Sequence, residues 1–114
     1  MTDRQFKSFQ KTFMQWQSKL GLAEYTVSFV LKKLPVEYAT CEVSPEGCVA
    51  EVTVSTDVKW TPKLIKTVAT HECIHLLLAR LTELAHRRFV DEAEIFGENE
   101  RVTCILEKVL CPKN

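Results

Sequence analysis

Residues 61–81 read TPKLIKTVATHECIHLLLARL. Thr61 and Pro62 form a helix-start signal: a Thr N-cap is followed by a Pro in the first turn, where its missing N–H costs nothing. Leu64, Ile65, Val68, Ala69, Ile74, Leu77 and Leu78 then make the helix apolar on several sides, so it is expected to be a central element. Inside it lies His71-Glu72-Cys73-Ile74-His75. Residues four apart on a helix sit one turn above each other, so the two imidazoles can be presented to one point in space.

Working outward, Phe6, Phe9, Phe13, Trp16 and Leu20 recur at three- and four-residue steps with Gln, Lys and Ser between them, and Gly21 follows as a stop signal. That spacing predicts an amphipathic N-terminal helix whose aromatic stripe is a core face. From Tyr25 the period changes to two: Tyr25, Val27, Phe29 and Leu31 mark a strand with one better-buried face, ended at Leu34-Pro35. Ala39, Cys41 and Val43, the turn Ser44-Pro45-Glu46-Gly47, and Cys48, Ala50, Val52 and Val54 read as a hairpin. After Arg80 the segment to about Gly97 is mixed and acidic. Val102, Ile105, Leu106, Val109 and Leu110 then define a last helix ended by Pro112. The expected fold is therefore α+β: an N-terminal helix, a small three-stranded, mainly antiparallel sheet, the central motif helix and a C-terminal helix. They form one domain over residues 1–114.

The composition suits such a domain. The chain has 114 residues, 46% hydrophobic and 26% charged, enough for one core and typical of a globular protein. Fifteen cations balance fifteen carboxylates, so there is no overall basic field, and nucleic acid is not an expected partner. No apolar run approaches a membrane span and the N-terminus lacks a signal-like apolar segment, so the chain reads as cytoplasmic. The odd set of Cys41, Cys48, Cys73, Cys104 and Cys111, without a C-x-x-C pair, reads as reduced and mostly buried thiols, with Cys41 and Cys48 as core fillers.

Chemistry concentrates in the motif. Two imidazoles at this spacing suit two corners of a zinc tetrahedron. Glu72 projects about 100° around the helix from His71, near enough to accept a proton from a water held by the metal without itself being a ligand. A catalytic zinc takes a third protein ligand. His86 lies eleven residues past His75 and is disfavoured by that distance. Among the carboxylates Asp91, Glu92, Glu94, Glu98 and Glu100, helical periodicity places Glu98 on the stripe of Val102, Ile105 and Val109, with Glu100 to one side of it. Periodicity does not decide between the two.

The order helix, three-stranded sheet, HECIH helix and Glu-bearing last helix resembles the minimal core of the gluzincins, the thermolysin-like zinc peptidases. It is also similar to small predicted metallopeptidases of phages and bacteria. In thermolysin-like enzymes the ligand Glu begins a helix with apolar residues two, five, six, nine and ten positions later. Val102, Ile105, Leu106, Val109 and Leu110 stand at those distances from Glu100, and Glu98 does not reproduce them.

The resemblance implies His71, His75 and Glu100 as zinc ligands and Glu72 as general base. It implies a peptide or protein substrate, with the strand Ala50–Val54 holding an extended peptide by edge pairing. Where the family has an Asp one turn after the ligand Glu, orienting the first His, this chain has Cys104, a poor acceptor. The residue that would stabilise the oxyanion is not identified by any motif; His86, Tyr25 and Tyr38 are the candidates. The expected function is zinc-dependent peptide hydrolysis. The alternatives are a non-catalytic zinc-binding interaction module, in which the metal staples the helices, and a metal-free interaction domain.

Overall fold

The computed structural model describes residues 1–110. Six elements follow in order: α1 Asp3–Lys19, β1 Thr26–Lys32, β2 Ala39–Ser44, β3 Val49–Ser55, α2 Pro62–His86 and α3 Glu92–Leu110. The α+β architecture expected from the periodicities is present. Cys111 and the Pro112 stop lie outside the described residues.

α1 begins at a complete capping box. Thr2 Oγ1 accepts from Gln5 N at 3.1 Å, and Gln5 Oε1 accepts from Thr2 N at 2.9 Å, so two N–H groups with no helical partner are satisfied reciprocally. Its apolar stripe faces inward, with Phe9 and Phe13 fully buried. Gly21 ends it at φ +68°, a left-handed conformation that glycine adopts without a Cβ clash.

The sheet is ordered β1-β3-β2. β2 and β3 form the expected antiparallel hairpin, Cys41 opposite Val52 and Glu42 opposite Glu51. β1, however, pairs parallel to β3, Thr26 opposite Val49 through Lys32 opposite Ser55. The sheet is therefore mixed rather than mainly antiparallel. Alternating burial looks the same for either direction of a strand, which is why the pattern of β1 did not disclose its orientation.

β3, the most buried strand, is consequently central, and both of its edges are occupied. This corrects the expectation that Ala50–Val54 is free to pair with a peptide; the open edges belong to β1 and β2.

One face of the sheet packs on the helices. Phe13 meets Phe29 edge to face at 5.3 Å between ring centroids, joining α1 to β1. β3 passes into α2 through a loop pinned by Trp60. Its indole N–H donates to Ser55 O at 2.8 Å, its ring lies edge-on to Phe9, and its carbonyl accepts from Gln5 Nε2. Thr61 then caps α2 as expected, its Oγ1 accepting from Leu64 N at 3.1 Å.

α2 does not fade after Arg80 but runs 25 residues to His86. α3 begins earlier than expected, at Glu92, with Asp91 Oδ1 accepting from Glu94 N at 2.8 Å and Gly97 inside the helix. That stretch is mixed and acidic in sequence. Glu92 and Glu94 occupy the first turn, where carboxylates favour the helix dipole. Val102 is the buried residue of α3, with Ile105 and Val109 half-buried against the core.

Among the described cysteines only Cys73 is buried; Cys41 and Cys48 are half-buried and Cys104 is exposed, which corrects the expectation of mostly buried thiols. No described helix is long and apolar enough to cross a membrane.

Candidate metal centre

α2 carries the motif on the boundary between its core face and solvent. Ile65, Val68, Ala69, Cys73, Leu76 and Leu77 hold the helix against the sheet and α1. Because that packing fixes the rotation of the helix, the motif residues divide: Glu72 is 4% exposed, whereas His71, Ile74 and His75 are exposed. Sequence reading had Ile74 as a core position and the histidines on a buried element. The burial of the carboxylate and the exposure of Ile74 reverse that picture.

The imidazoles converge. His71 Nε2 and His75 Nε2 are 3.2 Å apart, with ring centroids at 4.8 Å and planes inclined by 77°. Two nitrogens about 2.0–2.1 Å from one tetrahedral zinc stand about 3.3 Å apart. The observed separation thus fits the bite of a single metal, and it also fits a hydrogen bond between two neutral rings, one donating. Exposed imidazoles do not require a protein partner, so their convergence follows from the four-residue spacing and the rotamers.

Glu72 is set differently. Among the described residues no hydrogen bond reaches its carboxyl, and no fully enclosed side-chain oxygen is left without a partner. The carboxyl therefore keeps a narrow contact with solvent while its stem is enclosed. Burial pushes its pKa up from 4.5 to about 7, the range in which a carboxylate works efficiently as a general base at neutral pH. Cys41 on β2 lies near enough to feel its charge, and Cys73, the next residue of α2, lies near Cys41. Burial pushes both thiols up to about 12, with the Glu72 charge adding to the rise at Cys41 and the Cys41 charge to that at Cys73. Both stay protonated at neutral pH and are poor zinc donors there. Cys41 was read from the sequence only as a core filler. Its place beside Glu72 depends on which strand lies over α2, a question of strand order that the hairpin signal does not address.

The remaining candidates are not gathered at the pair. Among the described residues no third His, Cys, Asp or Glu side chain joins His71 and His75 in a cluster of metal-ligating size. Glu100 is exposed on α3, its Oε1 accepting from Cys104 Sγ at 3.9 Å. Cys104 thus faces the carboxylate of its own helix. Glu98 accepts from Arg101 Nε and Nη2 through one oxygen, at 2.8 and 2.6 Å. It lines a cleft of about 390 Å³ with Arg80, Glu83, Leu84 and Arg87.

His86 belongs to the same unbroken helix as His75. Eleven residues of helix separate them by about 16 Å, which removes His86 both as third ligand and as oxyanion donor. Tyr25 is buried beside Arg80, and Tyr38 is exposed, edge-on to Trp60 at 6.2 Å.

No family model, curated protein or solved structure matches the chain.

Proposed function

We propose that the chain is a zinc-dependent peptidase in which His71, His75 and Glu100 hold the metal and Glu72 is the general base. One observation carries this reading: a pair of Nε2 atoms at a metal's bite distance shares its stretch of α2 with a buried carboxylate, Glu72, whose pKa is raised to about 7. A bound zinc would polarise the scissile carbonyl and acidify a water. Glu72 takes a proton from the attacking water and gives it to the leaving amine, and its raised proton affinity suits both transfers. The burial that encloses its stem sustains that affinity by limiting hydration of the carboxylate.

Glu100 is preferred to Glu98 on two grounds. Glu98 is neutralised by Arg101 and lies with Arg80, Glu83 and Leu84 of α2 and with Arg87 just past its end, more than one turn beyond His75. In the proposed arrangement α3 turns back along α2 after the short connection of residues 87–91, so that residues beyond Glu98 lie nearer the histidines, by up to about 1.5 Å each. Glu100 is on the returning side and makes no ion pair among the described residues. Recruiting it takes a new rotamer and an inward adjustment of α3, which is anchored through few apolar side chains. With β3 enclosed, the free edge of β2 is the surface on which an extended peptide would pair, because β2 carries Cys41 against Glu72.

A second reading, zinc as a non-catalytic staple, is favoured by the sparse anchoring of α3, with Val102 as its buried residue. A metal shared by α2 and α3 would supply the missing attachment.

Ligand variants separate Glu100 from Glu98. Glu100→Ala is expected to weaken zinc affinity at least tenfold in a competition titration with a chromophoric chelator, and to lower zinc-stimulated hydrolysis of an unfolded protein substrate in step. Glu98→Ala should leave zinc affinity within about twofold. The reverse pattern would assign the ligand to Glu98, and hydrolysis indifferent to zinc in the wild type would reject the peptidase.

A further inference from the structure

The balance of charges conceals a segregation in space. α1 and the first turns of α2 carry Arg4, Lys7, Lys11, Lys19, Lys63 and Lys66 against one carboxylate, Asp3. The other nine cations share the chain with fourteen carboxylates. Among the described residues the six cations of this face make no ion pair. The ion pairs elsewhere use Arg80, Arg87 and Arg101, with Lys33 bound to Asp57.

All six side chains are exposed. Arg4, Lys7 and Lys11 follow a three- then four-residue step and so share the outward stripe of α1, opposite Phe9 and Phe13. A hollow lined by Lys7, Lys11, Gln15 and Ser18 around Met14 meets a groove of about 750 Å³ between α1 and α2, lined by Gln15, Ser18, Lys19 and Lys66 together with Trp16 and Pro62. Because Gln15 and Ser18 line both, the lysine stripe and the groove are one continuous surface.

We propose that this face binds the phosphodiester backbone of duplex nucleic acid without reading its sequence. Unpaired lysines supply point charges, and Gln and Ser supply neutral donors of the kind that complete phosphate contacts. Other polyanions fit less well. An amphipathic helix seated on a membrane needs an exposed apolar face, whereas the apolar face of α1 is spent in the core and Met14 is the large apolar side chain on its outer stripe. A protein partner would seek a desolvated apolar centre, whereas the large apolar side chains here, Met14 and the half-buried Trp16, stand among unpaired lysines. Single strands are gripped by stacking on aromatic rings. Trp16, half-buried against the core with the Lys19 ammonium 5.1 Å from its ring centroid, is a single ring in the groove's lining, too little for stacking successive bases. This inference is independent of the metal and of the peptidase reading.

The test is fluorescence anisotropy of a labelled 20-base-pair DNA duplex titrated with the full chain at several salt concentrations. Binding is expected in the ~10⁻⁶–10⁻⁴ M range near 0.1 M salt, weakening steeply as salt rises. Lys7→Ala with Lys11→Ala should weaken it at least tenfold at 50 mM salt. The double variant should also lower the slope of log K against log salt by about 1.8, two phosphate contacts at about 0.9 each. Lys32→Ala with Lys33→Ala, on the sheet, should leave both quantities unchanged. Absence of binding at low salt would overturn the proposal, as would equal weakening by the two double variants. Tighter binding to a single strand, to phosphatidylserine vesicles or to polyglutamate would overturn it equally.

Discussion

Glu72→Gln is expected to abolish peptide hydrolysis while making the metal-free protein more stable at neutral pH. On the catalytic side, removing a general base costs about 10²–10⁴-fold, to be read as kcat/KM on an unfolded protein substrate. Zinc affinity should be nearly unchanged, because Glu72 is not among the ligands. On the stability side the sign follows from burial. The folded state holds the Glu72 proton up to about pH 7, whereas the unfolded chain releases it near 4.5. A group with a raised folded pKa contributes stability that is full below the unfolded value and is lost as pH rises through the folded value. Between pH 4.5 and 7 the wild type should therefore lose roughly 2–3 kcal/mol from this group. Gln carries no such dependence. Denaturant unfolding in chelator at pH 5 and pH 8 should show the variant gaining on the wild type at the higher pH. Unchanged hydrolysis in the variant would remove Glu72 from catalysis, and parallel pH profiles would show that its carboxyl is not insulated from water.

The second large effect concerns the histidines. Both are exposed, so His75→Ala should unfold in chelator within about 0.5 kcal/mol of the wild type, as surface substitutions do. Added zinc should separate them. At free zinc one hundred times its dissociation constant, the wild type is expected to gain about 2.7 kcal/mol, and the variant nothing at the same concentration. Equal stabilisation of both would place the metal elsewhere, and no stabilisation of either would favour the metal-free interaction domain. If zinc stabilises the wild type while Glu72→Gln retains every activity, the staple reading prevails.

Much of this frame was legible from local chemistry. Thr61-Pro62 fixed the start of α2 to the residue, Gly21 ended α1 at a left-handed turn, and the Ser44–Gly47 turn located the hairpin. Each of these signals depends on a few neighbouring backbone groups. What escaped was set by distant packing. The parallel direction of β1 leaves no mark in an alternating pattern, and the central place of β3 depends on it. The rotation of α2 that buries Glu72 and exposes Ile74 is fixed by how its broad apolar surface docks on the sheet and α1, because a helix apolar on several sides does not name its own inner face. His71 and His75 meet because their spacing brings them together on any helix. Glu100 comes from another element, and its approach depends on how α3 lies along α2. Net charge is silent about surfaces for the same reason: a sum over the chain carries no information about which face each lysine occupies.

The most direct test of the metal centre is anomalous scattering at the zinc edge from crystals grown with one equivalent of zinc. One peak is predicted about 2.0–2.1 Å from both His71 Nε2 and His75 Nε2, with a Glu100 carboxylate oxygen as third protein ligand and an open position facing Glu72. Density that leaves the two imidazoles bonded only to each other, with zinc absent or held by other residues, would contradict the account.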